Sequence, residues 1–206
     1  TVVFNGSAGA NLVDLGDGTG AGTESLTTGG WINEIVQGNG SAAVSLTAGA
    51  GAVSLGGGAD SLVSLGWVSE AAMGFGDDEV ELLGGGTAHG GGGDDRFAVG
   101  ARGTTYYGEA GDDVLRFDFD ALSRNERDTF DGGNGSDIVG IVFEDAEAYA
   151  DQIDALLAEL AGLIDSGDAA DGSFTLNSLN LEVKDIERFL VRTGPDDDRT
   201  YVYDSD

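Results

Sequence analysis

Cysteine is absent from all 206 residues, so neither a disulfide nor a thiolate zinc site can hold this fold. Proline occurs once against 37 glycines. That excludes a proline-rich linker, and the glycines follow no strict three-residue period, which excludes collagen. Histidine also occurs once, as His89 in TAHGGGG. With no cysteine, a Cys-His pair is impossible, and a Ser-His-Asp triad would have to use His89. His89 falls at the apolar position of its repeat and is expected to be a structural residue there. No HExxH motif and no phosphate loop is present, and 38 acidic residues offer no reason to single out a glycosidase-like carboxylate pair. The chain itself is not expected to be an enzyme. No apolar run reaches the length of a membrane span, and the opening TVVFNGSAGANLV lacks the basic start and apolar stretch of a signal peptide. Because it opens at Thr1, a processed form or a fragment is expected.

Basic residues are scarce as well. Nine Lys and Arg stand against 38 Asp and Glu, a net charge of -29, and Lys184 is the sole lysine. Nucleic acid is excluded as a partner, because phosphate binding needs clustered cations. So large an excess of one sign repels itself in a compact state unless cations neutralise it. The hydrophobic content of 40% is sufficient for a core.

What the chain does have is a period. Stepping by nine from Leu26 meets Ile35, Val44, Val53, Leu62, Ala71 and Val80, all apolar. Several of these carry an apolar partner two places on, as in Val44 with Leu46, Val53 with Leu55, Val80 with Leu82, and Phe97 with Val99 further along. Spacing by two marks a strand with one buried face, and runs this short between glycines are too brief for helices. A turn and a short strand every nine residues predicts an all-β parallel β-roll, a β-solenoid with two strands and two turns per 18-residue circuit. Its turns would form two columns, one on each edge.

One column carries the chemistry. The pattern Gly-Gly-x-Gly-x-Asp-x-apolar-x is complete in GGGGDDRFA (Gly90 to Ala98) and in GGNGSDIVG (Gly132 to Gly140). Partial copies keep Gly58 with Asp60, Gly76 with Asp78, and Gly111 with Asp113. On these motifs the chain resembles the repeats-in-toxin family of hemolysin-type calcium-binding proteins. The resemblance implies calcium held between successive turns. Carried onto this sequence, the candidate ligands are Gly58, Asp60, Gly76, Asp78, Gly91, Gly93, Asp95, Gly111, Asp113, Gly133, Gly135 and Asp137. The physical reason is that calcium takes six to eight oxygens at roughly 2.3 to 2.6 Å, more than one short loop supplies. Asp60, Asp78, Asp95 and Asp113 follow one another at 18, 17 and 18 residues, so neighbouring loops would stack and share ions. Asp77, Asp94 and Asp112 would be either further ligands or solvated turn residues.

The other column offers Asn33, Gly51, Ser69, Thr87 and Thr105 at the equivalent positions, and upstream the acidic column has Glu24 and Ala42. Calcium is therefore expected on one edge and in the later half. This divides the chain into degenerate, metal-poor repeats over 1–57, a calcium-binding roll over 58–142 and a capping region over 143–206. In that last region Tyr149, Ile153, Leu156, Leu157, Leu160 and Ile164 define the apolar stripe of an amphipathic helix, with Asp145 as N-cap and Gly167 as stop. The helix would cover the end of the roll or bind a partner. Two strands follow it, and Asp196 to Asp198 form either another loop or an acidic turn. Trp31 and Trp67 lie 36 residues apart, in one column two circuits apart, for packing or for glycan stacking. Two functions remain open: a calcium-held structural or adhesive module of a secreted or surface-layer protein, or the accessory or secretion module of a secreted hydrolase or polysaccharide-modifying enzyme. In either, the chain would self-associate or meet cell-surface polysaccharide outside the cell.

Overall fold

The computed structural model describes residues 2–4, 9–17, 23–100, 102–119, 126–166, 172–194 and 198–202. It is mostly β, and its strands are dealt alternately to two sheets. The first sheet takes β1 (Val2–Phe4), β3 (Glu24–Thr28), β5 (Ala42–Leu46), β7 (Ser61–Ser64), β9 (Glu79–Leu82), β11 (Arg96–Ala98), β13 (Val114–Asp118), β15 (Ile138–Val142), β18 (Arg188–Arg192) and β19 (Asp198–Val202), in that order. The second takes β2 (Ala10–Asp14), β4 (Ile32–Val36), β6 (Ala50–Ser54), β8 (Val68–Phe75), β10 (Gly86–Gly92), β12 (Thr104–Ala110), β14 (Asp128–Asn134), β17 (Leu181–Lys184) and β16 (Ser173–Leu176). Every pairing is parallel except the last in each sheet, β18 with β19 and β17 with β16.

The nine-residue period becomes two apolar columns. In the first sheet Leu26, Val44, Leu62, Val80, Phe97, Leu115, Val139 and Phe189 lie in register from strand to strand. In the second, Ile35, Val53, Ala71, Ala88, Tyr106, Phe130 and Val183 do the same. All of them are buried in one hydrophobic cluster shared by both sheets. Because successive side chains of a strand point to opposite faces, one apolar residue in two is enough to line that interior. Ring size changes along it: Phe97 packs against Tyr106 and Phe130 at centroid distances of 5.3 and 5.8 Å, and the Tyr106 hydroxyl crosses the core to donate to the carbonyl of Ala98 at 2.9 Å.

The 17-residue circuit has a local origin. Gly86 pairs with Val68, but Ala88 pairs with Ala71, so β8 carries one residue more than β10 at this point. This bulge corrects the position expected for His89. The apolar column passes through Ala88, and His89 lies on the outer face, stacked on Tyr107 at 4.7 Å and bonded through Nδ1 to Glu109 at 2.9 Å.

Residues 143–206 do more than cap. The helix α1 (Ala150–Ser166) follows a turn over 146–149, and Asp145, expected as its N-cap, lies ahead of that turn, where its carboxylate accepts the N–H of Ala148 at 3.0 Å. Ile153, Leu156 and Leu160 are buried in the common core, and Glu159 accepts from the N–H and hydroxyl of Ser178. After this insertion the alternation resumes: β17 joins β14 and β18 joins β15, both in parallel. The antiparallel β16 and β19 then close the two sheet edges. Gly167, Asp196 and Asp197 lie outside the described residues, and Asp198 pairs with Arg192 in β19.

Leu115 is fully buried at the centre of its column. Leu115→Ala is expected to lower unfolding free energy by about 2 to 5 kcal/mol, the range for a truncated core leucine, read from denaturant midpoints at unchanged slope.

Candidate metal centre

Five six-residue stretches lead from the second sheet to the first on one edge, at 55–60, 73–78, 90–95, 108–113 and 132–137; the last four begin in the final residues of the incoming strand, and each turns and ends in an aspartate just before the next strand. Those residues, Asp60, Asp78, Asp95, Asp113 and Asp137, are at most 3% exposed. Parallel pairing sets consecutive turns one strand spacing apart, about 4.8 Å, so the five carboxylates form a file along the edge.

One oxygen of each is used by the backbone. Oδ1 of Asp60 accepts the N–H of Ala42 at 2.6 Å, that of Asp78 accepts from Asp60 at 2.7 Å, and that of Asp95 from Asp78 at 2.9 Å. Asp113 then accepts from Asp95 and Asp137 from Asp113, each at 2.8 Å. Every aspartate thus ties its own turn to the one before. Oδ2 of all five is buried with no hydrogen-bond partner. An unpaired buried carboxylate oxygen is costly, and five in file compound the cost through mutual repulsion.

The glycines make room for these oxygens. A Cβ at Gly90 would sit 2.0 Å from Oδ2 of Asp95, one at Gly108 2.2 Å from Oδ2 of Asp113, and one at Gly132 2.5 Å from Oδ2 of Asp137. In the two earlier turns the same place is filled by Leu55 and Met73, both buried in the core. The last three turns therefore share a cradle that the turns of Asp60 and Asp78 lack, a distinction not drawn from the sequence. Fourth-position glycines Gly58, Gly76, Gly93, Gly111 and Gly135 have φ between +119° and +153°, and the second-position Gly91 and Gly133 have φ of +107° and +95°. This is backbone that side-chain-bearing residues rarely adopt. Glu109 occupies a second position at φ +75°.

The acids one place earlier form a second ladder in the opposite sense. Asp77 accepts the N–H of Asp94 at 3.0 Å, Asp94 that of Asp112 at 2.9 Å, and Asp112 that of Ser136 at 3.0 Å. These exposed carboxylates reach forward to the next turn, whereas the buried ones reach back.

Sequence reasoning missed the end of the inner ladder. The N–H of Asp137 donates to Oε2 of Glu187 at 2.5 Å. Glu187 stands two residues before Phe189 of the apolar column, as Asp137 stands before Val139, so its signal was present across the helical insertion. On the opposite edge the one-residue bulge shifts the equivalent positions from Thr87 and Thr105 to Gly86 and Thr104, followed by Asp128. Asp128 is buried, and its Oδ1 accepts the N–H of Thr104 at 2.8 Å. That edge holds one rung of the same kind, and Asp128 is not among the residues with an unpartnered oxygen.

The candidate ligands thus converge by edge and by turn. Among the described residues, no group of three or more Asp, Glu, His or Cys side chains gathers around one point, so a cation at this edge would draw most of its oxygens from backbone carbonyls. Burial raises the carboxyls of Asp60, Asp78 and Asp113 to about 6 and those of Asp95 and Asp137 to about 7, the donated N–H offsetting part of the rise. Neighbouring acids push Asp78, Asp95, Asp113 and Asp137 further up.

These shifts have a definite sign. The folded chain holds protons that the unfolded chain, with carboxyls at 3.8, has released, so stability falls as pH rises from about 4 through 7. In chelator, the melting temperature should be higher at pH 4.5 than at pH 8, and Asp95→Asn should shrink the difference. A melting temperature that rises over this interval would show the ladder is not buried as described. Family models, curated proteins and solved structures were each compared with the chain, and none matches.

Proposed function

We propose that the chain is a calcium-binding β-roll, the two alternating parallel sheets being its walls, and that it serves as a structural or adhesive module of a secreted or cell-surface protein. The observation that supports this reading is the file of five buried Oδ2 atoms without partners on one edge. A divalent cation would satisfy these oxygens and relieve their repulsion together. The donor set is all oxygen, from carboxylates and turn carbonyls, which suits a hard cation, and the flexible six- to eight-fold shell of calcium fits paired turns better than the strict octahedron of magnesium.

The residues that would hold the ions are Asp95, Asp113 and Asp137 with Gly91, Gly93, Gly111, Gly133 and Gly135, where the glycine cradle is present. Asp60 with Gly58 and Asp78 with Gly76 form the weaker end, since Leu55 and Met73 stand where the cradle glycine would be. With a net charge of -29, the chain would stay expanded where calcium is scarce and fold where it is abundant, because binding to sites absent in the unfolded chain appears as folding free energy. Outside the cell a hundredfold excess of calcium over its dissociation constant adds about 2.7 kcal/mol per site. Rigidity conferred on arrival suits a module that spaces or attaches other parts.

The test is circular dichroism during calcium titration and chelation. Calcium should raise both β-structure and melting temperature, and chelator at pH 8 should reverse the gain. Asp95→Ala should weaken calcium binding at its own turn and at the one before, because the lost carboxylate carries the unpartnered Oδ2 and accepts the N–H of Asp78, while Thr87→Ala should leave it unchanged. A spectrum and melting point indifferent to calcium would sink the proposal.

A further inference from the structure

The edge opposite the aspartates carries two large rings in a column otherwise made of glycine. Successive circuits place Gly9, Trp31, Gly49, Trp67 and Gly85 at one position. The N–H groups of Ala10, Ile32, Ala50 and Val68 donate in turn to the carbonyls of Trp31, Gly49, Trp67 and Gly85, at 3.1, 3.4, 3.0 and 3.0 Å. Glycine is favoured here by close approach: a Cβ at Gly9 would lie 2.3 Å from the Trp31 carbonyl oxygen, and one at Gly49 2.1 Å from that of Trp67. The two tryptophans are not core residues. They are 39% and 48% exposed, whereas Phe97, Tyr106, Phe130 and Phe189 of the apolar columns are buried.

Their surroundings are arranged. A Cβ at Gly85 would meet Cζ3 of Trp67 at 3.2 Å, so that ring rests on the bare backbone of the next circuit. Trp31 Nε1 donates to Oδ1 of Asn33 at 3.0 Å, and Asn33 Nδ2 donates to Oδ1 of Asn11 at 3.0 Å. This orients one ring and leaves an exposed row of amide groups beside it. Leu65, two residues before Trp67, is 56% exposed.

We propose that this column is a binding ledge for a neutral β-linked glycan chain lying along the edge, with sugar rings stacked on Trp31 and Trp67. Two strand spacings separate the tryptophans, about 10 Å. An extended β-linked chain presents the same face of its rings at every second sugar, an interval of that order, and the apolar face of a pyranose stacks on an indole as other flat apolar groups do. Gly49 between them leaves the intervening sugar unobstructed, and Asn33 and Asn11 offer partners to hydroxyls. Neutrality follows from charge: Gly9, Trp31, Gly49, Trp67 and Gly85 carry none, and although Arg102 borders Gly85, the net charge of -29 repels polyuronates and anionic lipid alike. The ledge and the aspartate file occupy opposite edges, so neither depends on the other for its ligand.

The chain has only two tryptophans, so their emission reports on the ledge directly. In calcium, with the fold verified by circular dichroism, β-1,4-linked glucose oligomers of two and six units are titrated against the protein, with a polyuronate hexamer alongside. The glucose hexamer should shift the emission and bind roughly tenfold more tightly than the dimer, which spans one ring only. Trp31→Ala and Trp67→Ala should each remove that advantage. Trp67→Phe, which keeps a ring and the fold, should retain part of it. No shift with the glucose hexamer, equal affinity for dimer and hexamer, or tighter binding of the polyuronate would each overturn the proposal. So would sedimentation showing a dimer that Trp67→Ala dissociates, since the ledge would then be a contact between copies. Failure of the calcium reading appears separately, as a fold indifferent to chelator.

Discussion

A buried aspartate accepting the backbone N–H of the preceding circuit is the contact on which the rest of the molecule depends. Parallel strands joined by short turns leave N–H groups at each turn that the sheets do not reach, and a buried donor without a partner is as costly as a lost hydrogen bond. Asp60, Asp78, Asp95, Asp113 and Asp137 satisfy those donors from one circuit away. The solution creates a second problem. A carboxylate has two oxygens, and using one for the backbone strands the other in the interior. The proposed calcium would use that unspent bonding capacity, and proton uptake near neutral pH would use it without metal.

The two edges show how one backbone supports different chemistry. On the first, glycines at positive φ and aspartates yield a charged, inward-facing file. On the second, the same circuit geometry carries glycines with Trp31 and Trp67 turned to solvent in its earlier circuits, and Arg102, Glu126 and the buried rung Asp128 in its later ones. The core between them is indifferent to this contrast, because it is built from the alternate apolar residues of the strands, such as Val44 with Leu46 and Leu115 with Phe117, and not from the turns.

Much of this was legible in the sequence, since a nine-residue apolar step can come only from a repeating backbone, and Leu26 through Val80 fell on the buried column as stepping predicts. The aspartates of the edge were readable for the same reason. What escaped was whatever depended on counting across an irregularity. The bulge in β8 moved the column from His89 to Ala88 and the opposite edge from Thr87 to Gly86. The pairing of β15 with β18, Ile138 to Arg188, spans a helix, and no local pattern reveals that Glu187 completes the ladder. The role of Gly90, Gly108 and Gly132 escaped because a missing side chain acquires meaning only once an oxygen is found in its place.

The two ladders run in opposite senses, and this gives the molecule a direction of failure. Each inner carboxylate holds the circuit before it, so a circuit is secured by its successor, up to Glu187, which immediately precedes β18 and its closing partner β19. At the other end the inner ladder begins at the N–H of Ala42, with no aspartate at that position to clasp anything earlier. Repeat arrays that contact only their neighbours melt from their least secured end. Opening should therefore start in the circuits before Asp60 and travel toward the helix, so that the early repeats behave as a fraying tail on an anchored body.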